Sequence, residues 1–163
     1  LADYIETGQA KLDFRYFPLT QHDPGATLGA MAVECAADQG AFWPYHDKLF
    51  AAAAAQGAGG FTPERLIDYA VELDLDQQQF TQCLATQEHQ EYVQNSRRQA
   101  VEMGLNSTPS VLVNGELLSA PFDYDALTAE VERQLESSNR PIHRGELGSL
   151  SMPYDVRPLF VRN

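Results

Sequence analysis

The ten residues Asn106-Ser107-Thr108-Pro109-Ser110-Val111-Leu112-Val113-Asn114-Gly115 constrain the fold more than any other stretch. Val111, Leu112 and Val113 are strand formers. Asn114-Gly115 is the pair preferred where both central residues of a two-residue hairpin turn need positive φ. Leu117 and Leu118 supply a return strand with apolar surface to bury. Pro109 has no N–H to give to a ladder, so it stands at the entrance of the strand rather than inside it. X-Pro is also the one linkage at which a cis peptide costs little, so a tight entry through a cis Thr108–Pro109 bond is open to this chain. By themselves the ten residues require only a turn proline ahead of a hairpin.

The rest of the chain is mostly helical in pattern. Leu1, Tyr4 and Ile5 have helical spacing, and Gly8 is a stop. Leu12, Phe14 and Tyr16 alternate with Lys11, Asp13 and Arg15, the pattern of a half-buried strand over 11–18 that Pro18 ends. A helix comes next over 26–38 with Leu28, Met31, Ala32 and Cys35 on one face, broken by Gly40. The next helix starts at Phe42, and its aromatics Phe42, Trp43, Tyr45 and Phe50 read as core. Residues 51–60 are a low-complexity helix tail and a glycine-capped loop. Thr62-Pro63 is an N-cap with proline at the first helical position, leading a helix with Leu66, Ile67, Tyr69, Ala70 and Leu73 inward. Residues 76–85 place Phe80, Cys83 and Leu84 inward. Residues 89–103 form a longer helix with Tyr92, Val93, Ala100 and Met103 apolar and Arg97-Arg98 exposed, ended by Gly104. A last helix over 123–135 has Tyr124, Leu127, Val131 and Leu135 as its apolar face.

A chain of 163 residues is long enough for a core without staples. Its net charge of −12 argues against nucleic acid or an anionic membrane surface as partner, since both would repel it. No apolar run approaches the ~20 residues of a membrane span, and no secretory signal is visible. Residues 137–163 differ from the body: four arginines stand against two acids, with Pro141, Pro153 and Pro158 and no helical period. That basic tail either folds back on the acidic body, clasps a partner, or is a solvated end. Leu1 standing where a Met would be leads to the expectation of a chain processed, trimmed or incomplete at its amino terminus.

Chemistry-bearing motifs are few. Gly57, Gly59 and Gly60 follow a helix instead of opening one, unlike a phosphate loop, and there is no Gly-x-Ser-x-Gly elbow. The two cysteines, Cys35 and Cys83, sit on different predicted helices, both inward and neither at a helix start, so neither has the exposed, acidified thiol of a catalytic pair. His22, His46, His89 and His143 lie too far apart in sequence to suggest a metal site. No cofactor motif stands out. The cysteines are therefore either a structural disulfide or two buried thiols.

A Thr-Pro before a strand, an Asn-Gly hairpin and an amphipathic last helix resemble the C-terminal half of a thioredoxin fold. With Asp38–Phe50 (Asp-Gln-Gly-Ala-Phe-Trp onward) they are similar to the DsbA-like branch, in which a helical domain is inserted into that fold. The resemblance covers roughly residues 1–135. It implies an α/β chain with a thioredoxin-like core over 1–22 and 105–136, an inserted helical domain over 23–104 and a tail over 137–163. It further implies that Thr108 and Pro109 form the substrate-binding edge and that Cys35 and Cys83 form a structural disulfide, hence an oxidising, periplasmic or other extracytoplasmic compartment.

The family's first strand and Cys-x-x-Cys turn have no counterpart in these residues. A core without that central strand leaves 11–17 and 111–113 with nothing between them and buried backbone groups unpaired, at about 1–3 kcal/mol each. The expected function is thiol–disulfide exchange on substrate polypeptides with the nucleophile outside this chain, a redox partner protein being a further implied partner. The alternative is a non-catalytic thioredoxin-like binding or assembly module.

Overall fold

The computed structural model describes residues 2–56 and 61–138. In chain order they form α1 (Ala2–Glu6), a 3-10 turn (Thr20–His22), α2 (Gly25–Ala37), α3 (Phe42–Gln56), α4 (Pro63–Glu72), α5 (Gln77–Thr86), α6 (Gln90–Glu102), β1 (Leu112–Val113), β2 (Glu116–Leu117) and α7 (Tyr124–Ser138). The chain divides into two compact units, one of residues 15–108 and one of residues 1–14 with 109–163. The expected basic tail lies outside the described residues from 139 onward, and so does the loop 57–60.

The helical unit is built around α2, which touches α3, α4, α5 and α6. Its sequence of small residues permits this: Gly25, Gly29, Ala30, Ala32 and Ala36 are buried together with Met31, Val33 and Cys35. A Cβ on Gly29 would come within 3.1 Å of the Phe61 ring, so glycine there sets how closely that ring approaches. Tyr45 and Leu49, one turn apart, fill the inner face of α3; the Tyr45 hydroxyl donates to the Leu66 carbonyl at 2.7 Å, and its ring lies 5.3 Å from Phe80. Burial holds the Tyr45 phenol protonated well above its ordinary range. The Thr62 hydroxyl caps α4 by accepting from the Arg65 amide, with Pro63 at the first helical position, and the Asp76 carboxylate caps α5 at the Gln79 amide.

Two of the four aromatics read as core are on the surface. Trp43 is 45% exposed and Phe50 61%. Only the Tyr45/Leu49 face of α3 turns inward, and Phe42, His46 and Phe50 succeed each other at four-residue spacing on an outer face. Successive rings there stack at 6.1 and 4.4 Å, with Trp43 5.3 Å from His46. Met103, Leu117 and Tyr124 are likewise more than half exposed, and Arg97 is half-buried, not exposed like Arg98.

The segment 11–18 forms no strand. The alternation is real in part, since Phe14 is half-buried and Tyr16 and Pro18 are buried between exposed charges, but Leu12 is 57% exposed. No strand among the described residues lies beside it. The Ser96 hydroxyl instead accepts from the Tyr16 amide and donates to the Tyr16 carbonyl, both at 2.8 Å, so one buried side chain replaces a ladder rung. The Tyr16 phenol donates to Glu34 on α2 at 2.7 Å, and burial with that bond raises its pKa far above the usual value. These bonds tie Tyr16 to the helical unit and explain why the units part at 14/15 and 108/109, several residues from the expected 22/23 and 104/105.

Candidate functional site

In the smaller unit the sheet is a single hairpin. Leu112 pairs with Leu117 and Val113 with Glu116, antiparallel, and the Leu118 amide reaches the Val111 carbonyl at 2.8 Å. Asn114 (φ 49°) and Gly115 (φ 88°) both take the left-handed conformation that this two-residue turn demands. Behind it, α7 packs on β1. Arg133 on α7 ties the hairpin to the helix, bonding Glu116 at 2.7 Å and Glu130 at 2.6 Å, while Asn114 bonds Gln134 at 3.3 Å. The bonds from Arg133 and Gln134 hold the Glu130 carboxyl at a pKa of about 2.

Thr108 and Pro109 are both exposed, directly before the half-buried run Val111–Val113. Their peptide bond is trans; the cis bond among the described residues is Asp23–Pro24. The expected cis entry to the strand is therefore not present here. Among the described residues β1 is bonded to β2 alone. Among the described residues the other edge of β1 pairs with no strand. Such an edge presents backbone donors and acceptors to an extended chain. It carries no nucleophile.

The sulfur chemistry is in the helical unit. Cys35 on α2 and Cys83 on α5 are joined as a disulfide, both nearly inaccessible to solvent, and no cysteine is free. Two further side chains crowd the bridge. Asp38, just past the end of α2, has Oδ2 3.9 Å from Cys83 Sγ and 2.7 Å from Nε2 of His89, which precedes α6. Potential ligand atoms of Cys35, Cys83 and His89 all lie within 4.8 Å of one another. Sequence reasoning set the histidines aside because no two of them are close in the chain. The available signal was weak: Asp38 stands one helical turn past Cys35, and His89 stands six residues past Cys83. A bridge between those two helices brings the residues just beyond their C-terminal ends to one place.

Comparison with known proteins bears on both places. A family model described as Thioredoxin matches residues 1–133. A probable disulfide bond formation protein D of Bacillus anthracis is 30% identical over 138 residues, 82% of this chain and 62% of that protein. The chain belongs to the DsbA-like thioredoxin family. Thiol–disulfide oxidoreduction is the function at the level of that family. Two other relatives are sodium/proton antiporters: NhaA 3 of Salinispora tropica, 34% identical over 156 residues, and NhaA of Herminiimonas arsenicoxydans, 36% identical over 111. These alignments take in 91% and 68% of this chain but only 23% and 17% of the antiporters. The chain thus spans under a quarter of these antiporters and about three-fifths of the disulfide bond formation protein. No solved structure matches it.

Proposed function

We propose that this chain is part of a DsbA-like thiol–disulfide oxidoreductase acting on cysteines of substrate polypeptides, with the Cys-x-x-Cys nucleophile outside these 163 residues. The observation that carries the reading is the one-sided β1 strand, entered through exposed Thr108 and Pro109, in a chain of this family. A substrate polypeptide lies extended along that edge, Thr108 bonding its backbone, and is held beside the reacting sulfur. Exchange proceeds by thiolate attack on one sulfur of a disulfide, release of the other as thiolate, and resolution of the mixed disulfide by a second thiol. The buried Cys35–Cys83 pair supplies neither group, so it serves as a brace, in keeping with an oxidising extracytoplasmic compartment.

Pro109→Ala tests the edge. Binding of a reduced, unfolded polypeptide should change by about five-fold or more, the scale of one backbone hydrogen bond, with little change in the denaturation midpoint. A lowered midpoint with unchanged binding would leave Pro109 as a turn residue. The nucleophile is tested by the mass and cysteine count of the reduced polypeptide from its native source. A mass above 18.1 kDa with a further cysteine pair supports exchange chemistry. A mass of 18.1 kDa with Cys35 and Cys83 alone removes it.

One observation favours a second reading. In the antiporter relatives the matching region is a minor part of a much longer protein. A binding or assembly module attached to a larger protein would keep the same peptide edge without redox chemistry.

A further inference from the structure

The Cys35–Cys83 bridge has more around it than a brace requires. Disulfides need no imidazole, yet His89 and Asp38 form a bonded pair against this one. The side chains of His89 and Asp38 are 20% and 40% exposed, while the cysteines are 1% and 5% exposed. The buried sulfurs thus lie beside a histidine and a carboxylate that are both partly open to solvent. Each of the four comes from a different part of the helical unit: α2, the residue after α2, α5, and the residue before α6.

We infer that reduction of the bridge converts this cluster into a site for zinc or a similar thiolate-seeking divalent metal, with Cys35 Sγ, Cys83 Sγ and His89 as ligands and Asp38 as the carboxylate bonded to His89. Two thiolates and an imidazole are a zinc-type donor set, with Zn–S about 2.3 Å and Zn–N about 2.0–2.1 Å. Tetrahedral angles at those lengths place two sulfurs about 3.8 Å apart. Two thiols must separate to about that distance once the bond is cut, and the ligand atoms already lie within 4.8 Å of one another. The oxidised bridge offers no thiolate, so metal binding and disulfide exclude each other.

The chemistry balances with a dithiol as reductant. One of its thiolates attacks Cys35 or Cys83, and its second thiol releases the mixed disulfide. The dithiol leaves oxidised and both cysteines leave as thiols, two electrons and two protons having been transferred. Metal binding then displaces the two thiol protons to solvent. This site is independent of the peptide edge at Thr108–Pro109 and stands whether or not exchange chemistry is present.

Cobalt(II) is the probe. The full chain, reduced with a dithiol that is then removed under argon, should take up one cobalt per chain. A thiolate-to-cobalt charge-transfer band and intense visible bands of tetrahedral cobalt should appear, and zinc should displace them. The oxidised chain should give none of these bands. Loss of an outer partner of a metal ligand costs about 10–100-fold in affinity, so Asp38→Ala should fall in that range and His89→Ala at or beyond its upper end. If reduction unfolds the chain, cobalt should restore the helical circular dichroism. A reduced chain that stays helical and binds no cobalt, or unfolds and is not refolded by it, overturns the inference. So does binding that His89→Ala leaves unchanged.

Discussion

The two units are held together by different physics. In the helical unit, residues 15–108, buried apolar side chains surround a small-residue helix, with buried polar contacts such as Tyr45 to Leu66 and Tyr16 to Ser96 among them. In the other unit Val131 is the one buried apolar residue among those described, and a set of surface bonds centred on Arg133 joins hairpin to helix. Burial contributes about 25 cal/mol per Å² and is not weakened by ionic screening. Exposed ion pairs contribute at most about 1 kcal/mol each and are screened. The contrast assigns roles. The unit with the core is a scaffold, and the unit that carries the strand edge is the one whose stability responds more to screening by salt.

The largest test of that contrast is the bridge. Cys35 and Cys83 close a loop of 48 residues, for which chain entropy predicts about 4 kcal/mol of stabilisation. Reduction in the presence of a chelator should lower the urea midpoint accordingly, with amides of α2 and α5 losing most exchange protection. Equal loss at the hairpin would mean that the two units unfold as one cooperative body, and the contrast would fail.

A second, smaller test concerns the segment that resisted reading. Ser96 is buried on α6 and both donates to and accepts from the Tyr16 backbone. Ser96→Ala strands a buried amide and carbonyl and should cost about 1–3 kcal/mol. If 11–18 belonged to a sheet in solution, the same change would cost a few tenths.

That segment also shows where sequence reading stops. The hairpin was legible because Asn114-Gly115 encodes its turn locally through two positive φ values. The helices were legible because the Thr62 N-cap, and the inward positions Phe80, Cys83 and Leu84, are local patterns too. Period-two alternation over 11–18 reports one buried face, and a strand requires in addition a neighbour, which no local pattern encodes. Trp43 and Phe50 failed for a related reason. Aromatic character shows that a face is apolar, and whether anything covers that face depends on elements elsewhere. At the candidate sites, Thr108 and Pro109 could be placed from the hairpin beside them. His89 and Asp38 could not be placed before the two cysteines were joined.

The smallest expected effect separates the units by pH. The Glu130 carboxyl sits at about 2 in the folded chain because Arg133 and Gln134 bond its charged form, against about 4.3 for an ordinary glutamate. A lowered folded value means stability that is present above the ordinary pKa and lost as pH falls through about 4 toward 2. In the helical unit Tyr16 and Tyr45 are shifted upward, chiefly by burial. Their contribution is present below about 10 and declines as pH rises beyond it. Tyr4, bonded to Glu132 in the smaller unit, is raised too, but it is a surface group whose effect solvent weakens. Acid should therefore loosen α7 and the hairpin first, and alkali the helical unit first. Amide exchange from pH 5 downward reads the first half, and Glu130→Gln should flatten that acid response while leaving the alkaline one intact. An acid response that survives Glu130→Gln would mean that the Glu130 carboxyl is not its source.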